Sequence, residues 1–270
     1  MLDHSTMYFD FVKKIEIATP EEMEEILLDK NYISHPYVRP YTLHNTNYET
    51  TKYLVEEKGF TIENEDNIGE TPVFHAKGEK LKYLISLGAN VNKINSYGEN
   101  PLFSNTYKES LAMLIEAGAD IHKINQFGNN ILWYLTKEQI ETVLKYGEPN
   151  FYQVSNENQN LLFIADMETI DLFISKGVDP FLIDNEGDNI LLHIVNKEFN
   201  YNDSELEPLL AKFLYMGLSP YHKNNKGECA WDKFSDELKE KYEKEILSLF
   251  NQKDLYDIIN PEEKKIKPRM

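Results

Sequence analysis

Along this 270-residue chain the apolar residues arrive in short bursts at spacings of three and four, and each burst runs into a glycine. Leu81, Leu84 and Ile85 precede Gly88; Leu111, Leu114 and Ile115 precede Gly118; Ile140, Val143 and Leu144 precede Gly147. Ile170, Phe173 and Ile174 then precede Gly177, and Leu210, Phe213 and Leu214 precede Gly217. Such spacing gathers the apolar side chains on one helix face, and a glycine suits the left-handed turn that ends the helix. Between the bursts lie segments that start polar or with proline and become apolar: ETPVFHA, ENPLFSN, NNILWYL, QNLLFIA and DNILLHIV. Each predicts a short helix, the first with Thr71 at its N-cap and Pro72 at its first position.

The 12 glycines carry the larger pattern. One series, Gly59, Gly88, Gly118, Gly147, Gly177 and Gly217, advances by 29, 30, 29, 30 and 40 residues. A second, Gly69, Gly98, Gly128, Gly187 and Gly227, follows ten residues behind. Its missing member falls at Asn158, thirty residues after Gly128 and eleven after Gly147, and asparagine is the next best residue for a left-handed backbone. Only Gly78 stands outside both series. Seven residues after a first-series glycine comes Asp66, Asn95, Asn125, Asp184 or Asn224, with Ser155 at eight as the exception. Their side chains can close a turn by accepting from backbone N–H groups two residues on. A period of this size predicts a repeat array whose unit runs turn, short helix, tight loop, second helix, glycine cap and extended link.

These units resemble ankyrin repeats. Residues 66–95, DNIGETPVFHAKGEKLKYLISLGANVNKIN, carry D-x-x-G-x-T-P, L-x-x-L-I before the glycine, and G-A-N-V-N. The next unit, NSYGENPLFSNTYKESLAMLIEAGADIHKIN, repeats the frame with Asn100 in place of the threonine. The likeness covers roughly residues 37 to 235 and implies an all-α ankyrin-type helical repeat solenoid of about six or seven units with β-turn or hairpin tips. Two departures stand out. The family unit is about 33 residues, and the shortfall here lies where the first helix ends and the second begins. The histidine of the family's T-P-L-H is replaced in register by Phe74, Phe103, Trp133, Phe163 and Leu192, while His75 and His193 sit one residue later. An aromatic there fills core volume but loses the histidine bond to the neighbouring turn.

The ends predict caps, because a repeat stack must cover its terminal faces. Residues 1–36 read as an N-terminal helical cap: a helix over Met7 to Ile15, then Thr19, Pro20 and Glu22 as a capping box ahead of a second helix. Residues 37–234 form the repeats, starting with a degenerate unit from Tyr41 to Gly59, with an insertion near 196–207. Residues 235–250 form a C-terminal capping helix with Leu238, Tyr242, Ile246 and Leu249 as its stripe, and 251–270 a loose, charged segment.

Composition narrows the chemistry. Lys plus Arg is 28 and Asp plus Glu is 46, a net charge of −18, which repels nucleic acid and anionic membrane surfaces and favours a basic protein partner. The 41% hydrophobic content, with 17 Tyr and 14 Phe, is too rich for a disordered acidic chain. Cys229 is the single cysteine, which excludes an intramolecular disulfide and suits a reducing, cytoplasmic setting. The first residues do not read as a secretory signal, and no run of 18 apolar residues predicts a membrane span. No glycines cluster to cradle a phosphate, and the seven histidines show no local metal-binding spacing. No catalytic residue, metal or cofactor is therefore expected, and His75 and His193, at equivalent repeat positions, read as structural.

Binding is the expected role, by a protein that is a monomer when free. Large apolar groups at turn tips are the informative residues: Ile68, Tyr97 and Phe127, which either anchor a partner or stack on one another along the array. Tyr107, the tip residues Glu157 and Glu186, and Phe199 and Tyr201 of the insertion complete the candidate set. The preferred reading is an acidic immunity-type inhibitor that neutralises a basic toxin or enzyme. Two alternatives stand beside it: a scaffold or host-directed effector that binds without inhibiting, and an enzyme with a site in the degenerate N-terminal region.

Overall fold

The computed structural model describes residues 4–29, 38–196 and 203–249, which fall into two compact units, Met1–Asn150 and Phe151–Met270. Helices joined by turns build both, with no strand among the described residues.

The first unit opens with α1 (His4–Ile17) and α2 (Pro20–Leu28). The capping box forms as expected: Glu22 N–H donates to Thr19 Oγ1 at 3.3 Å, and Thr19 N–H donates to Glu22 Oε2 at 2.9 Å. α1 packs on α3 (Val38–Asn45) and α2 on α4 (Tyr48–Glu56). Phe11, Ile15, Met23, Leu43 and Leu54 close a core between them. Three short-then-long helix pairs follow. A 3-10 turn at Pro72–Phe74 precedes α5 (Gly78–Ser86), α6 (Pro101–Ser104) precedes α7 (Lys108–Glu116), and a 3-10 turn at Ile131–Tyr134 precedes α8 (Lys137–Val143). The first helices are thus a single turn long, which is where the 29- and 30-residue units lose length. Leu81, Leu84, Leu111, Leu114, Ile140 and Val143 of the second helices are buried.

One-turn helices have almost no stability of their own, so the carbonyls at their ends need partners from outside. The following unit supplies these. Asn105 Nδ2 donates to the carbonyls of Val73, Phe74 and Ala76 at 3.3, 3.2 and 2.8 Å. Gln139 Nε2 donates to Thr106 O at 2.6 Å, and Lys80 Nζ to His44 O and Thr46 O at 3.2 and 2.7 Å. At the helix starts, Asn100 and Asn130 accept from Leu102 and Leu132 N–H and donate to Asp120 and Asn150 carbonyls. Thr71 differs from expectation. It holds the N-cap position ahead of Pro72, but no N–H reaches its side chain, and its buried Oγ1 has no partner.

Glycine ends the second helices as predicted, with one exception. At Gly88 (φ +85°) the Schellman pair forms, Gly88 N–H to Ile85 O and Ala89 N–H to Leu84 O at 2.9 and 3.0 Å. Gly147 lacks the left-handed backbone and donates to Val143 O instead. A Cβ there would lie 2.7 Å from Ile121 Cδ1, the end of a side chain that can turn away, so packing favours a small residue without demanding glycine. The expectation of a left-handed cap at Gly147 is corrected accordingly.

The second unit repeats the scheme. A 3-10 turn at Leu161–Ile164 precedes α9 (Ile170–Ser175), α10 (Ile190–Asn196) precedes α11 (Asp203–Tyr215), and α12 (Ala230–Lys233) precedes α13 (Asp236–Leu249). Asn158 takes the left-handed conformation (φ 59°) in place of the missing glycine, as its position predicts. Leu238 and Tyr242 are buried, and Ser235 Oγ accepts from Leu238 N–H at 3.2 Å at the start of α13. Residues 197–202 of the insertion, with Phe199 and Tyr201, and the segment 251–270 lie outside the described residues. No described helix is long and apolar enough to cross a membrane.

Candidate functional site

The turns are built alike. Asn95 Oδ1 accepts from Tyr97 and Glu99 N–H at 3.0 and 2.9 Å, while Asn95 N–H donates to Glu99 O and Gly98 N–H to Asn95 O. Asp66, Asn125, Asp184 and Asn224 make the same pair of side-chain bonds, and Ser155 does so through its hydroxyl at 3.2 Å. Backbone bonds tie neighbouring turns together. In the first unit Ser96 N–H donates to Ile68 O at 2.7 Å and Gln126 N–H to Tyr97 O at 2.8 Å. In the second, Asn185 and Asn225 N–H donate to Glu157 and Glu186 carbonyls. Tip side chains are therefore presented from an ordered backbone.

On that backbone Tyr97 and Phe127 are 41% and 46% exposed, whereas Ile68 is half-buried. Tyr107 is exposed at the start of α7, with Lys77 Nζ 3.8 Å from its ring centre. Glu157 and Glu186 are exposed in the second unit, and Lys226 Nζ lies 2.8 Å from Glu186 Oε2. One set went unread in the sequence. Ile94 and Ile124 in the first unit, and Val154 and Ile183 in the second, are exposed β-branched residues directly before the turn Asx or Ser. Aligning the units on the turn rather than on the glycine would have exposed this column. In the first unit it joins Tyr97 and Phe127 on the same two turns.

The acidic residues after three of the turn glycines form a second array, buried at Glu70 and Asp188 and half-buried at Glu99. Asn95 Nδ2 donates to Glu70 Oε1 at 2.8 Å and Asn125 Nδ2 to Glu99 Oε1 at 2.9 Å; in the second unit Asn224 Nδ2 donates to Asp188 Oδ1 at 2.8 Å. At Glu70 the array becomes a cluster. His75 Nε2 lies 2.6 Å from Glu70 Oε2, Ser104 Oγ 3.4 Å from Oε1, and Asp66 is adjacent through the turn. Burial pushes the Glu70 carboxyl up, but His75, Asn95 and Ser104 outweigh it and hold the group below its ordinary value. Burial likewise pushes His44 down, so its ring is neutral near pH 7. The ammonium of Lys80, buried against two carbonyls, is lowered to about 7 by desolvation. The two histidines expected to be equivalent part company here: His75 meets Glu70, whereas His193 packs edge-on against Phe163 at 5.0 Å.

The sequence matches no protein-family model and no curated protein. Solved structures do match. The chain is similar to EF0377, described as an ankyrin repeat protein, with 20% identity over 64% of this chain and 92% of that one, at a TM-score of 0.50. It is also similar to the ankyrin repeat domain of Bcl-3, described as a unique member of the IkappaB protein family, with 14% identity over 78% and 96% of the two chains, at a TM-score of 0.54. The fold is the ankyrin-repeat fold.

Within this ankyrin fold the histidine bond to the neighbouring turn, expected to be lost, is made once. His44 occupies the register position held elsewhere by Phe74, Phe103, Trp133, Phe163 and Leu192, and its Nε2–H donates to Glu70 O at 2.8 Å. That bond assigns the tautomer and leaves the buried Nδ1 without a partner. The degenerate ankyrin unit at 41–59 thus keeps a family feature that the better-matching units lack.

Proposed function

We propose that this protein is a binding module that recognises another protein through the turn tips of the unit Met1–Asn150. The observation that supports this is the in-register exposure of Ile94, Tyr97, Ile124 and Phe127 on turns held by side-chain and backbone hydrogen bonds. Apolar and aromatic groups on a preformed surface lose little entropy on docking and act as anchors. A net charge of −18 favours a basic partner and speeds its encounter. The narrower reading is an immunity-type inhibitor that covers a basic toxin or enzyme; it rests on the charge. A scaffold that binds without inhibiting uses the same surface. Cys229, buried at the start of α12 and donating to Asp232 Oδ2 at 3.2 Å, is consistent with a reducing compartment.

The test compares the wild-type chain with the double variant Tyr97→Ser/Phe127→Ser in pull-downs from the native host at two salt concentrations. A cationic protein held by the wild type at low salt, weakened at high salt and lost from the double variant is the expected result, since an aromatic anchor contributes about 2 kcal/mol or more. Equal capture by both chains, or an acidic partner indifferent to salt, rejects the tip surface or the charge argument respectively. Release of an inhibited activity in the captured partner separates the inhibitor from the scaffold.

A further inference from the structure

The geometry points to a site for one divalent transition-metal ion of the zinc class, held by Asp66, Glu70 and His75. One ligand atom from each lies within 4.8 Å of the other two. Imidazole with carboxylate is a donor set that suits zinc. The residues are preset for the task. Glu70 is 5% exposed, and its Oε1 is occupied by Asn95 Nδ2 and Ser104 Oγ, so its Oε2 is the oxygen turned to His75. Such outer partners fix the direction of a ligating carboxylate. Asp66 gives Oδ1 to the N–H groups of Ile68 and Glu70, which leaves Oδ2 for a ligand. His75 is 44% exposed in its side chain, so an ion and a completing water can reach Nε2 from solvent.

Charge favours an ion as well. His75 Nε2 meets the Glu70 carboxylate alone, and a divalent cation would supply counter-charge to the Asp66 and Glu70 carboxylates together. Zinc bonds of about 2.0–2.2 Å place neighbouring ligand atoms more than 3 Å apart, so the 2.6 Å contact between Glu70 and His75 must open slightly. The half-exposed His75 has room to turn. On binding, Nε2 offers its lone pair to the ion, and the proton it carried moves to Nδ1 through solvent. The second unit holds a matched control. Asp184, Asp188 and His193 have the same spacing, but Asp188 is taken by Asn224 and Asn196, and His193 packs on Phe163.

The experiment is calorimetric titration of the full chain with zinc chloride, repeated on His75→Gln, Asp66→Asn and His193→Gln. Glutamine keeps a donor towards Glu70 while losing the imidazole, and asparagine keeps the turn acceptor while losing the charge. Saturable binding of one equivalent is expected, at least tenfold weaker in His75→Gln and Asp66→Asn and unchanged in His193→Gln. A rise in Tm with zinc should follow the same order. No saturable binding by the wild type overturns the site, as does wild-type affinity in a folded His75→Gln chain. Should Asp66→Asn fail to fold, His75→Gln against His193→Gln decides the matter.

Discussion

Two stretches of this chain carry an aspartate, an acid four residues on and a histidine five further: Asp66, Glu70, His75 in the first unit and Asp184, Asp188, His193 in the second. Only the first converges. The difference lies in what surrounds each. The histidine-bearing turn of the first packs beside His44, with ring centres 5.9 Å apart; the equivalent neighbour in the second is Phe163. The long helix that follows sets Lys80 against the carbonyls of His44 and Thr46, behind the first triad's neighbour, and Leu209 stands at the corresponding place in α11. Glu70 is also one methylene longer than Asp188, whose Oδ2 receives Asn196 at 3.4 Å. A repeat frame therefore fixes where side chains stand, and the neighbouring units decide whether that place is wet and charged or dry.

The largest way to test that contrast is the buried lysine. Free lysine titrates near 10.5, and burial lowers Lys80 to about 7. Between those values the unfolded chain keeps a proton that the folded chain has released. The stability of the first unit should therefore climb as pH rises from about 7 to 10.5, with the burden at its fullest below 7. The gain is bounded at roughly 4–5 kcal/mol by the size of the shift. Lys80→Gln keeps donors for His44 O and Thr46 O but cannot titrate, and urea unfolding across that pH range should lose the Lys80 part of the slope. An identical slope in both chains would mean that the ammonium stays charged against its two carbonyls. Substitution at Leu209 should leave the slope untouched.

Gly69 and Gly187 sharpen the comparison at the two turns themselves. Both hold φ near +80° (+81° and +82°), so alanine at either is strained by about 1–2 kcal/mol, offset in part by a stiffer unfolded chain. Their surroundings differ. A Cβ at Gly69 meets nothing nearer than 3.6 Å, whereas at Gly187 it would lie 2.9 Å from the backbone nitrogen of Asn225, which cannot swing away. Gly187→Ala is expected to lose about 3 kcal/mol and Gly69→Ala about 1 kcal/mol in denaturant unfolding, the excess being the steric part. Equal losses would show that the second turn relaxes as freely as the first.

The frame was legible because it depends on backbone conformations that few residues tolerate. Gly88 and even Asn158 announce a left-handed backbone by residue type, and Ser155 stands in for an Asx as its position suggests. Gly147 misled because a glycine whose φ is ordinary looks the same in sequence as one that φ requires. The Asp66–Glu70–His75 cluster escaped notice since spacings of four and five across a turn follow no helix or strand period. Lys80 reads as a surface residue on any hydropathy scale; only the carbonyls it meets from the preceding unit bury it. Ile94 and Ile124 were hidden for the opposite reason, being apolar residues that the fold leaves outside.

The smallest expected effect asks whether His44 organises the first cluster or merely fills its place. His44→Phe gives the position the aromatic found at Phe74, Phe103 and Phe163 and makes the first triad's neighbour match the second's. The change removes the donor to Glu70 O, but that carbonyl still accepts from Asp66 N–H at 2.9 Å. It also removes the buried, unpartnered Nδ1, whose desolvation costs about 1–3 kcal/mol. Loss and relief are of similar size, so the urea midpoint should correspond to a shift within about 1 kcal/mol. His44→Ala, which leaves a hole beside the rings of Tyr41 and His75, should lose about 2–4 kcal/mol. If His44→Phe is instead as damaging as His44→Ala, the single bond to the Glu70 carbonyl holds the charged turn in place, and the wet and dry triads differ by that one contact more than by the company each keeps.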